Sequence, residues 1–359
     1  MEIFGTYELW DRLKNKDKPL LIYGMGNGAD KILSVLDKIG VKVDGFFASD
    51  GFVRGHSFHG MKVMTYAEAC EKFGDFIVLI AFGSALDDVM ANMKKIASEK
   101  ETYAPDVPVA ASELFDADFY LKNEKNIVAA RELFADGESR AVYDEIIRYK
   151  LDGDISHFHI DTPKSDALCS LLSGGYSAYI DLGAYVGDTV AEAVRYFPTI
   201  EKAAAFEPSE RIFKKLTENV SSLGISADLY NTAAWKTSAD AFFVDGAGRN
   251  SQLLSDASLC AHDSKTRSVK LTAPDDVCDY KREKLLIKLD VEGSEAAAIE
   301  GSKRLILENE TELIVSAYHR SEDIFALPLL INEILPNHKI YLRKHPYIPA
   351  WDINLYVKR

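Results

Sequence analysis

The stretch "YIDLGAYVGDTVAEAV" (residues 179–194) decides the fold. A short apolar run ends in an acid and a glycine, a second glycine follows four residues later, and helical spacing of apolar residues begins directly after it. This order of strand, glycine turn and helix is how α/β domains present a loop to a nucleotide-type cofactor. The stretch "LLIYGMGNGADKIL" (residues 20–33) repeats the arrangement, so either loop could hold a cofactor.

Strand and helix patterns alternate on both sides of a helical segment. A chain of 359 residues exceeds one ordinary core, so we expect two α/β domains. The predicted parts are a smaller Rossmann-like domain over 1–112, whose last strand is "VPVAAS" (107–112), a helical connector over 113–165 and a doubly wound domain over 166–359. The final runs "KIYLRKH" and "DINLYVKR" have no helix between them, which predicts an antiparallel hairpin on a parallel sheet. Segment 236–283 is predicted to contain a further hairpin.

Composition excludes several classes of protein. The net charge of −14 argues against nucleic acid as a partner. No apolar stretch approaches the roughly 20 residues of a membrane span. The first residues lack the layout of a secretory signal, so we expect a cytoplasmic protein. Neither a disulfide framework nor a zinc site is indicated, because the four cysteines are widely spaced. They are Cys70, Cys169, Cys260 and Cys278.

Carboxylates distinguish the second loop. Asp181 stands just ahead of Gly183, and Asp188 follows Gly187 in the first helical turn. A pyrophosphate would be repelled by acids in this turn, whereas a ligand with a positive centre would be favoured. S-adenosylmethionine, with its sulfonium and ammonium groups, fits that description, and the glycines allow close approach. An ordinary capped turn is the alternative.

The next two strands end in groups that suit an adenosine. The run "AAAFEPS" ends with Glu207 and Pro208, and a carboxylate there is placed to accept both hydroxyls of a ribose. The run "ADLYNTAAW" brings Asn231 and Ala233 to the position expected for the adenine. Three consecutive strands therefore direct cofactor-binding groups at one cleft.

A second set of charged residues follows two later strands. In "LLIKLDVEGSE", Lys288, Asp290 and Glu292 recur with period 2 on an otherwise apolar strand. Buried charges are costly unless they are paired or used, so Lys288 belongs either to a structural ion pair or to the site. His319 and Arg320 end the strand "ELIVSAYHR" and should lie on the same rim.

The runs "YIDLGAYVGDTV", "AFEPSERIFKKL", "IKLDVEGSEAAAIEG" and "AYHRSEDIFALPLLINEILPNHKIYLRKH" closely resemble the FkbM-type family of S-adenosylmethionine-dependent methyltransferases over 166–359. The resemblance implies O-methylation of a sugar hydroxyl in a natural product or a cell-surface glycan. One departure is Tyr185, where many methyltransferases have glycine. Asp290 is expected to face the sulfonium or the acceptor, His319 to act as base or orienter, and Glu292 to be a further base or to hold the turn.

The first loop differs in its chemistry. Gly24, Gly26 and Ala29 stand in G-x-G-x-x-A register with no acid ahead of them, and Asp50 follows the next strand. NAD is therefore conceivable, although Asp30 discourages a phosphate. The unit resembles the small Rossmann-like domain that precedes many sugar acyltransferases, which implies recognition of a nucleotide-sugar or glycan. A structural or dimerising domain is the other alternative.

Some assignments rest on fewer residues. Arg249, Asn250 and Arg320 are predicted to bind substrate. His157 and His159 form H-x-H without a third ligand nearby, so no metal site is predicted, although a divalent ion shared by the acids after "LLIKL" stays open. Two other functions remain: an NAD-linked sugar oxidoreductase using the first loop, and a non-catalytic glycan-binding protein. A homodimer is compatible with the sequence.

Overall fold

A computed structural model describes residues 8–53, 55–244, 252–254 and 266–359. The strands form sheets of six, four and seven strands. Arg249, Asn250 and Cys260 lie outside the described residues. No helix in the described ranges combines the length and apolar character needed to cross a membrane.

The first sheet is built from strands that alternate with helices. Its strand order is β3-β4-β2-β1-β5-β6, and all neighbours are parallel except β3 and β4. Every residue of β1 and β5 is buried, as expected where helices cover both faces. The elements are α1 (Leu9–Lys14), β1 (Leu20–Tyr23), α2 (Asn27–Lys38), β2 (Gly45–Phe47), α3 (Asp50–Val53), β3 (Ser57–Phe58), β4 (Met61–Met64), α4 (Tyr66–Phe73), β5 (Ile77–Ile80), α5 (Asp87–Glu99) and β6 (Glu101–Tyr103).

The last strand of this sheet is earlier than predicted. Residues 107–112 are not a strand, and β6 takes the edge position instead. Pro105 and Pro108 lack the backbone N–H that a ladder requires, which explains why pairing stops before them.

The middle of the chain is helical, as predicted. Asp116 and Asp136 cap the two long helices, accepting from Phe119 N at 2.8 Å and Ser139 N at 2.7 Å. The elements are α6 (Ala117–Leu133), α7 (Gly137–Asp152), a 3₁₀ turn (Ile155–His157) and α8 (Lys164–Leu171). The division of the chain at 112 and 165 stays a prediction.

The seven-stranded sheet carries the reversal of strand order that creates a ligand cleft. The order is β16-β17-β15-β14-β7-β8-β9, so the chain switches direction between β7 and β14. Its elements are β7 (Ala178–Leu182), α9 (Asp188–Tyr196), β8 (Lys202–Phe206), α10 (Glu210–Ser221), β9 (Ser226–Tyr230), β10 (Ala233–Ala234), β11 (Ala239–Val244), β12 (Gln252–Leu254), β13 (Thr266–Thr272), α11 (Pro274–Val277), β14 (Lys284–Leu289), α12 (Glu295–Glu300), α13 (Lys303–Glu308), β15 (Glu310–Ser316), α14 (Asp323–Ile334), β16 (Lys339–Lys344) and β17 (Ile353–Lys358).

The predicted α/β class and its antiparallel ending are confirmed. β17 runs antiparallel to both β15 and β16, and it inserts between them rather than joining at the edge. Strands β10 to β13 form the separate four-stranded sheet, in which β11 and β13 pair antiparallel as the hairpin prediction requires.

The C-terminal ends of the parallel strands in the two large sheets face each other. Ser84, after β5, exchanges backbone hydrogen bonds of 2.9 and 3.1 Å with Ile348, which precedes β17. The N–H of Ala110 donates to His319 O at 2.9 Å. A Cβ on Gly83 would lie 2.5 Å from the Tyr347 ring, so glycine is needed for this close approach. The loops after both sets of strands therefore enclose one cleft.

Candidate active site

A cavity of about 630 Å³ lies between the carboxyl ends of the two sheets. A volume of this size is typical of sites for small ligands and cofactors. The first sheet contributes apolar and backbone surface with one lysine, and the second contributes most of the charge. The principal lining residues are Met25, Asn27, Gly28, Lys31, Phe82, Lys164, Asp188, Glu192, Lys288, Asp290, Glu292, Tyr318, His319, Trp351 and Asp352.

Asp181 is fully buried at the end of β7 and has partners within the chain. Its Oδ2 accepts from Thr189 Oγ1 at 2.5 Å, and its Oδ1 lies 3.3 Å from Lys288 Nζ. Lys288 also lies 3.6 Å from Asp290 Oδ2. Burial lowers the pKa of Lys288, but Asp181 and Asp290 outweigh burial and raise it above the ordinary value. Lys288 is therefore a charged member of an ion-pair network and also lines the cavity, so both roles expected from its sequence are compatible with its position.

The glycine turn after β7 packs directly on the end of β14. Gly183 has φ +89°, and a Cβ there would lie 1.9 Å from the carbonyl oxygen of Asp290. Gly187, at φ +86°, immediately precedes α9. Between them Tyr185 adopts φ +46° and leaves half of its side chain exposed. The turn thus presents Tyr185 outward while its glycines hold the backbone against the neighbouring loop.

Glu207 occupies the end of β8 beside this turn and is 7 % exposed. Its Oε1 accepts from Ser209 N at 2.7 Å. Burial raises the pKa of Glu207 to about 7, although the backbone N–H groups of Ser209 and Tyr185 oppose that rise. Asn231 Nδ2 donates to Glu207 O at 2.9 Å, so the loops after β8 and β9 are tied together.

The other two predicted adenosine contacts lie on the same rim. The Pro208 carbonyl accepts a weaker hydrogen bond of 3.3 Å from Asn231 Nδ2. Ala233 begins β10, two residues beyond Asn231. None of these rim residues lines the cavity, which reaches the start of α9 at Asp188 and Thr189.

His319 brings the second charged set together. It is 1 % exposed, with Nδ1 at 3.0 Å from Glu295 Oε1, and with Nε2 at 3.5 Å from Asp290 Oδ1 and 3.6 Å from Glu292 Oε2. Burial lowers the pKa of His319, but the three carboxylates outweigh it and raise the pKa to about 9. Burial likewise opposes ionisation of Asp290, yet Lys288 and His319 lower its pKa below the usual value.

Glu295 was not among the residues selected from the sequence. It opens α12, and its Oε1 accepts from Val291 N at 2.9 Å and Gly293 N at 3.3 Å. The run "DVEGSE" carries the available signal, because an acid in the first helical turn can fold back on the preceding amides. Its contact with His319 depends on how β15 packs beside β14.

Arg320 contacts backbone rather than open cavity. Its Nε donates to Gly293 O at 2.6 Å and its Nη1 to Ala111 O at 2.7 Å. The guanidinium therefore clamps the loop after β14 to the segment after β6. His157 and His159 pair with Asp152 and Glu145 and lie away from the cavity lining.

The loop after β1 faces the cavity through its backbone. Gly24 and Gly26 have φ +118° and +106°, and a Cβ on Gly28 would lie 2.0 Å from Ala81 O. Lys31, one turn into α2, donates to the carbonyls of Pro108 and Val109 at 2.7 and 2.6 Å. The acid after the next strand is exposed and begins α3.

The comparisons agree with this arrangement. Residues 181–345 match the model of the methyltransferase FkbM domain. The crystal structure of a methyltransferase FkbM from Methylobacillus flagellatus is similar with a TM-score of 0.70 at 19 % identity, over 95 % of this chain and 90 % of that one. This similarity establishes a shared fold over most of the chain.

More distant structures match part of the chain. A precorrin-6y C5,15-methyltransferase from Geobacter metallireducens gives a TM-score of 0.33 at 12 % identity, over 54 % of this chain and 86 % of that one. A SAM-dependent methyltransferase from Leishmania major gives a TM-score of 0.32 at 10 % identity, over 69 % of this chain and 86 % of that one. No curated protein sequence matches the chain. Residues 181–345 therefore carry an FkbM methyltransferase domain, and the fold around it is similar to that of a methyltransferase FkbM.

Proposed function

We propose that the protein transfers a methyl group from S-adenosylmethionine to a hydroxyl of a sugar, either free in a glycan precursor or carried by a nucleotide. The observation that carries the cofactor assignment is the pairing of the turn after β7 with Glu207. A carboxylate that is 7 % exposed and held by backbone N–H groups beside a glycine turn suits the two hydroxyls of a ribose.

The network of Asp181, Lys288 and Asp290 supports the methionine end of this site. Asp181 is fully enclosed, so we assign it the role of positioning Lys288 and the turn rather than direct contact. Asp290 shares Lys288 but keeps about a third of its side chain exposed on the cavity wall. A negative carboxylate at that point favours a sulfonium and a bound hydroxyl alike.

Methyl transfer then consists of one bond formed, one bond broken and one proton transferred at the cavity wall. The acceptor oxygen forms a bond to the methyl carbon, and the carbon–sulfur bond breaks with its electron pair moving to sulfur. The hydroxyl proton passes to Asp290 or Glu292, whose carboxylates line the cavity. His319 lies behind them and orients Asp290, since only 1 % of the residue is exposed. Holding the acceptor in line with the methyl group supplies much of the rate.

The surface of the first domain is proposed to bind the acceptor. Its loop after β1 and the segment after β5 form the opposite wall of the same cavity. Backbone groups and one lysine suit a neutral or phosphate-linked sugar, which is the proposed class of acceptor. Arg320 holds the two walls at a fixed spacing through its two backbone contacts.

Calorimetric titration with S-adenosylhomocysteine tests the cofactor assignment. We expect micromolar binding that is lost in Glu207→Ala and retained in Glu210→Ala, an exposed glutamate three residues further along. UDP-glucose and NAD are titrated in parallel. Binding of NAD that survives Glu207→Ala and disappears in Gly26→Ala, with no binding of the homocysteine compound, would replace this proposal by the oxidoreductase alternative.

A further inference from the structure

His319 is buried with an acid beside each ring nitrogen. Nδ1 lies 3.0 Å from Glu295 Oε1, and Nε2, on the other side of the ring, lies 3.5 Å from Asp290 Oδ1. Within the described ranges neither nitrogen makes a hydrogen bond of good geometry, and Glu295 Oε2 has no hydrogen-bond partner. Buried polar atoms without partners are uncommon in native proteins, and one explanation is an ion that binds them.

Carboxylates surround the imidazole on several sides. Asp290 and Glu292 approach His319 Nε2 from the loop after β14, and Glu295 approaches Nδ1 from α12. Asp323, at the start of α14, is 5 % exposed and adds a fourth acid nearby.

Lys288 compensates only one side of the cluster. Its Nζ lies near Asp290 Oδ2, whereas Asp290 Oδ1 faces His319. Glu295 is instead held by the backbone N–H groups of Val291 and Gly293, both on Oε1. One oxygen of Asp290 and one of Glu295 therefore point toward the imidazole with no lysine or arginine between them.

We propose that His319, Asp290 and Glu295 bind one divalent cation at the wall of the cavity. One ligand atom from each residue lies within 4.8 Å of the other two, which a small rearrangement closes to coordination distance. One imidazole with two carboxylates favours a first-row transition metal such as Mn²⁺, and it suits the oxygen-preferring Mg²⁺ less well. The backbone contacts that fix Glu295 are the outer support that such ligands require.

The cation would also serve the reaction, and this part of the inference rests on the proposed function. A cation on the cavity wall acidifies a hydroxyl that binds to it. The acceptor hydroxyl would then lose its proton to Glu292 as the new oxygen–carbon bond forms and the carbon–sulfur bond breaks. Acceptors unable to reach the cation would bind without being methylated.

Metal binding can be measured without any acceptor. The full chain is stripped with a chelator, dialysed, and titrated with MnCl₂ by calorimetry and by the electron paramagnetic resonance of Mn²⁺. We expect one Mn²⁺ per chain, with affinity lowered more than about 100-fold in Glu295→Gln and in His319→Ala. Asp352→Asn, which changes another carboxylate of the same cavity, should bind Mn²⁺ as the wild type does.

Two outcomes would overturn the inference. One is the absence of saturable Mn²⁺ or Zn²⁺ binding by the wild-type chain. The other is binding that Glu295→Gln leaves unchanged. Glu295→Gln keeps the shape of the side chain, so it remains informative if His319→Ala does not fold. Titration of the same stripped sample with S-adenosylhomocysteine separates failure of the metal site from failure of the cofactor site.

Discussion

The two glycine loops look alike in sequence but have different surroundings. Each follows a buried parallel strand, and each contains a glycine without room for a side chain. A Cβ would lie 2.0 Å from Ala81 O at Gly28 and 1.9 Å from Asp290 O at Gly183. The shared glycines therefore reflect how closely a turn packs on the neighbouring strand.

The two loops differ in the charged groups that surround them. The strand before the second loop ends in Asp181, which is buried against Lys288, and the next strand ends in Glu207, which is also buried. At the corresponding place before the first loop, Tyr23 forms a neutral hydrogen bond of 2.6 Å with Ser49, and Asp50 is exposed. Glycine spacing alone thus indicates a turn, whereas buried carboxylates around it indicate which ligand it suits.

Removing the charge network should produce the largest difference between the loops. Lys288→Met leaves the fully buried Asp181 without a cation, so we expect the free energy of unfolding to fall by about 3–5 kcal/mol. Tyr23→Phe removes only neutral hydrogen bonds beside the first loop and should cost about 1 kcal/mol. Urea unfolding measures both, and similar losses in the two variants would contradict a charge-based distinction.

Substitution of glycines should have an intermediate effect. Gly183→Ala combines φ +89° with an overlap on a backbone carbonyl, and we expect it to cost about 2–4 kcal/mol. Gly26→Ala combines φ +106° with open space and should cost about 1–2 kcal/mol. The same urea experiment compares them. A Gly183→Ala protein as stable as Gly26→Ala would mean that the second turn is not packed as described.

The smallest expected effect is a pH dependence of cofactor affinity. The pKa of Glu207 is about 7 because burial raises it, with Asp181 and Glu292 adding to that rise and the N–H groups of Ser209 and Tyr185 opposing it. Because folding raises the pKa of this carboxyl group, its protonation stabilises the unliganded folded protein at pH values below the pKa of the unfolded chain. This contribution is lost as the pH rises through 7.

Ribose hydroxyls donate hydrogen bonds to an ionised carboxylate. The cofactor should therefore bind more tightly when Glu207 is ionised, which is the form that higher pH favours. The dissociation constant for S-adenosylhomocysteine should rise about tenfold between pH 8 and pH 6, as the ionised fraction falls to about a tenth. Glu207→Gln should bind weakly with a flat profile over the same range. Calorimetry at three pH values measures this, and a pH-independent wild type would remove Glu207 from the ribose site.

Much of the site follows from local sequence, because the carboxyl ends of parallel strands share one edge. Asp290 and His319 were placed together on that basis, and the structure brings Asp290 Oδ1 within 3.5 Å of His319 Nε2. Glu295 was missed since its contact with His319 depends on how β15 packs beside β14. The predicted strand at 107–112 was wrong, as prolines prevent pairing there. The cleft between the two large sheets depends on long-range contacts such as Ser84 with Ile348, which no local pattern encodes.

Amide hydrogen exchange, read by mass spectrometry with and without ligand, tests the contrast between the loops most directly. With S-adenosylhomocysteine we predict slower exchange in peptides covering 181–188 and 207–209, and unchanged exchange in the peptide covering 24–28. NAD should protect neither loop. Protection of 24–28 by either ligand, with no change at 181–188, would contradict the assignment of the cofactor to the second loop.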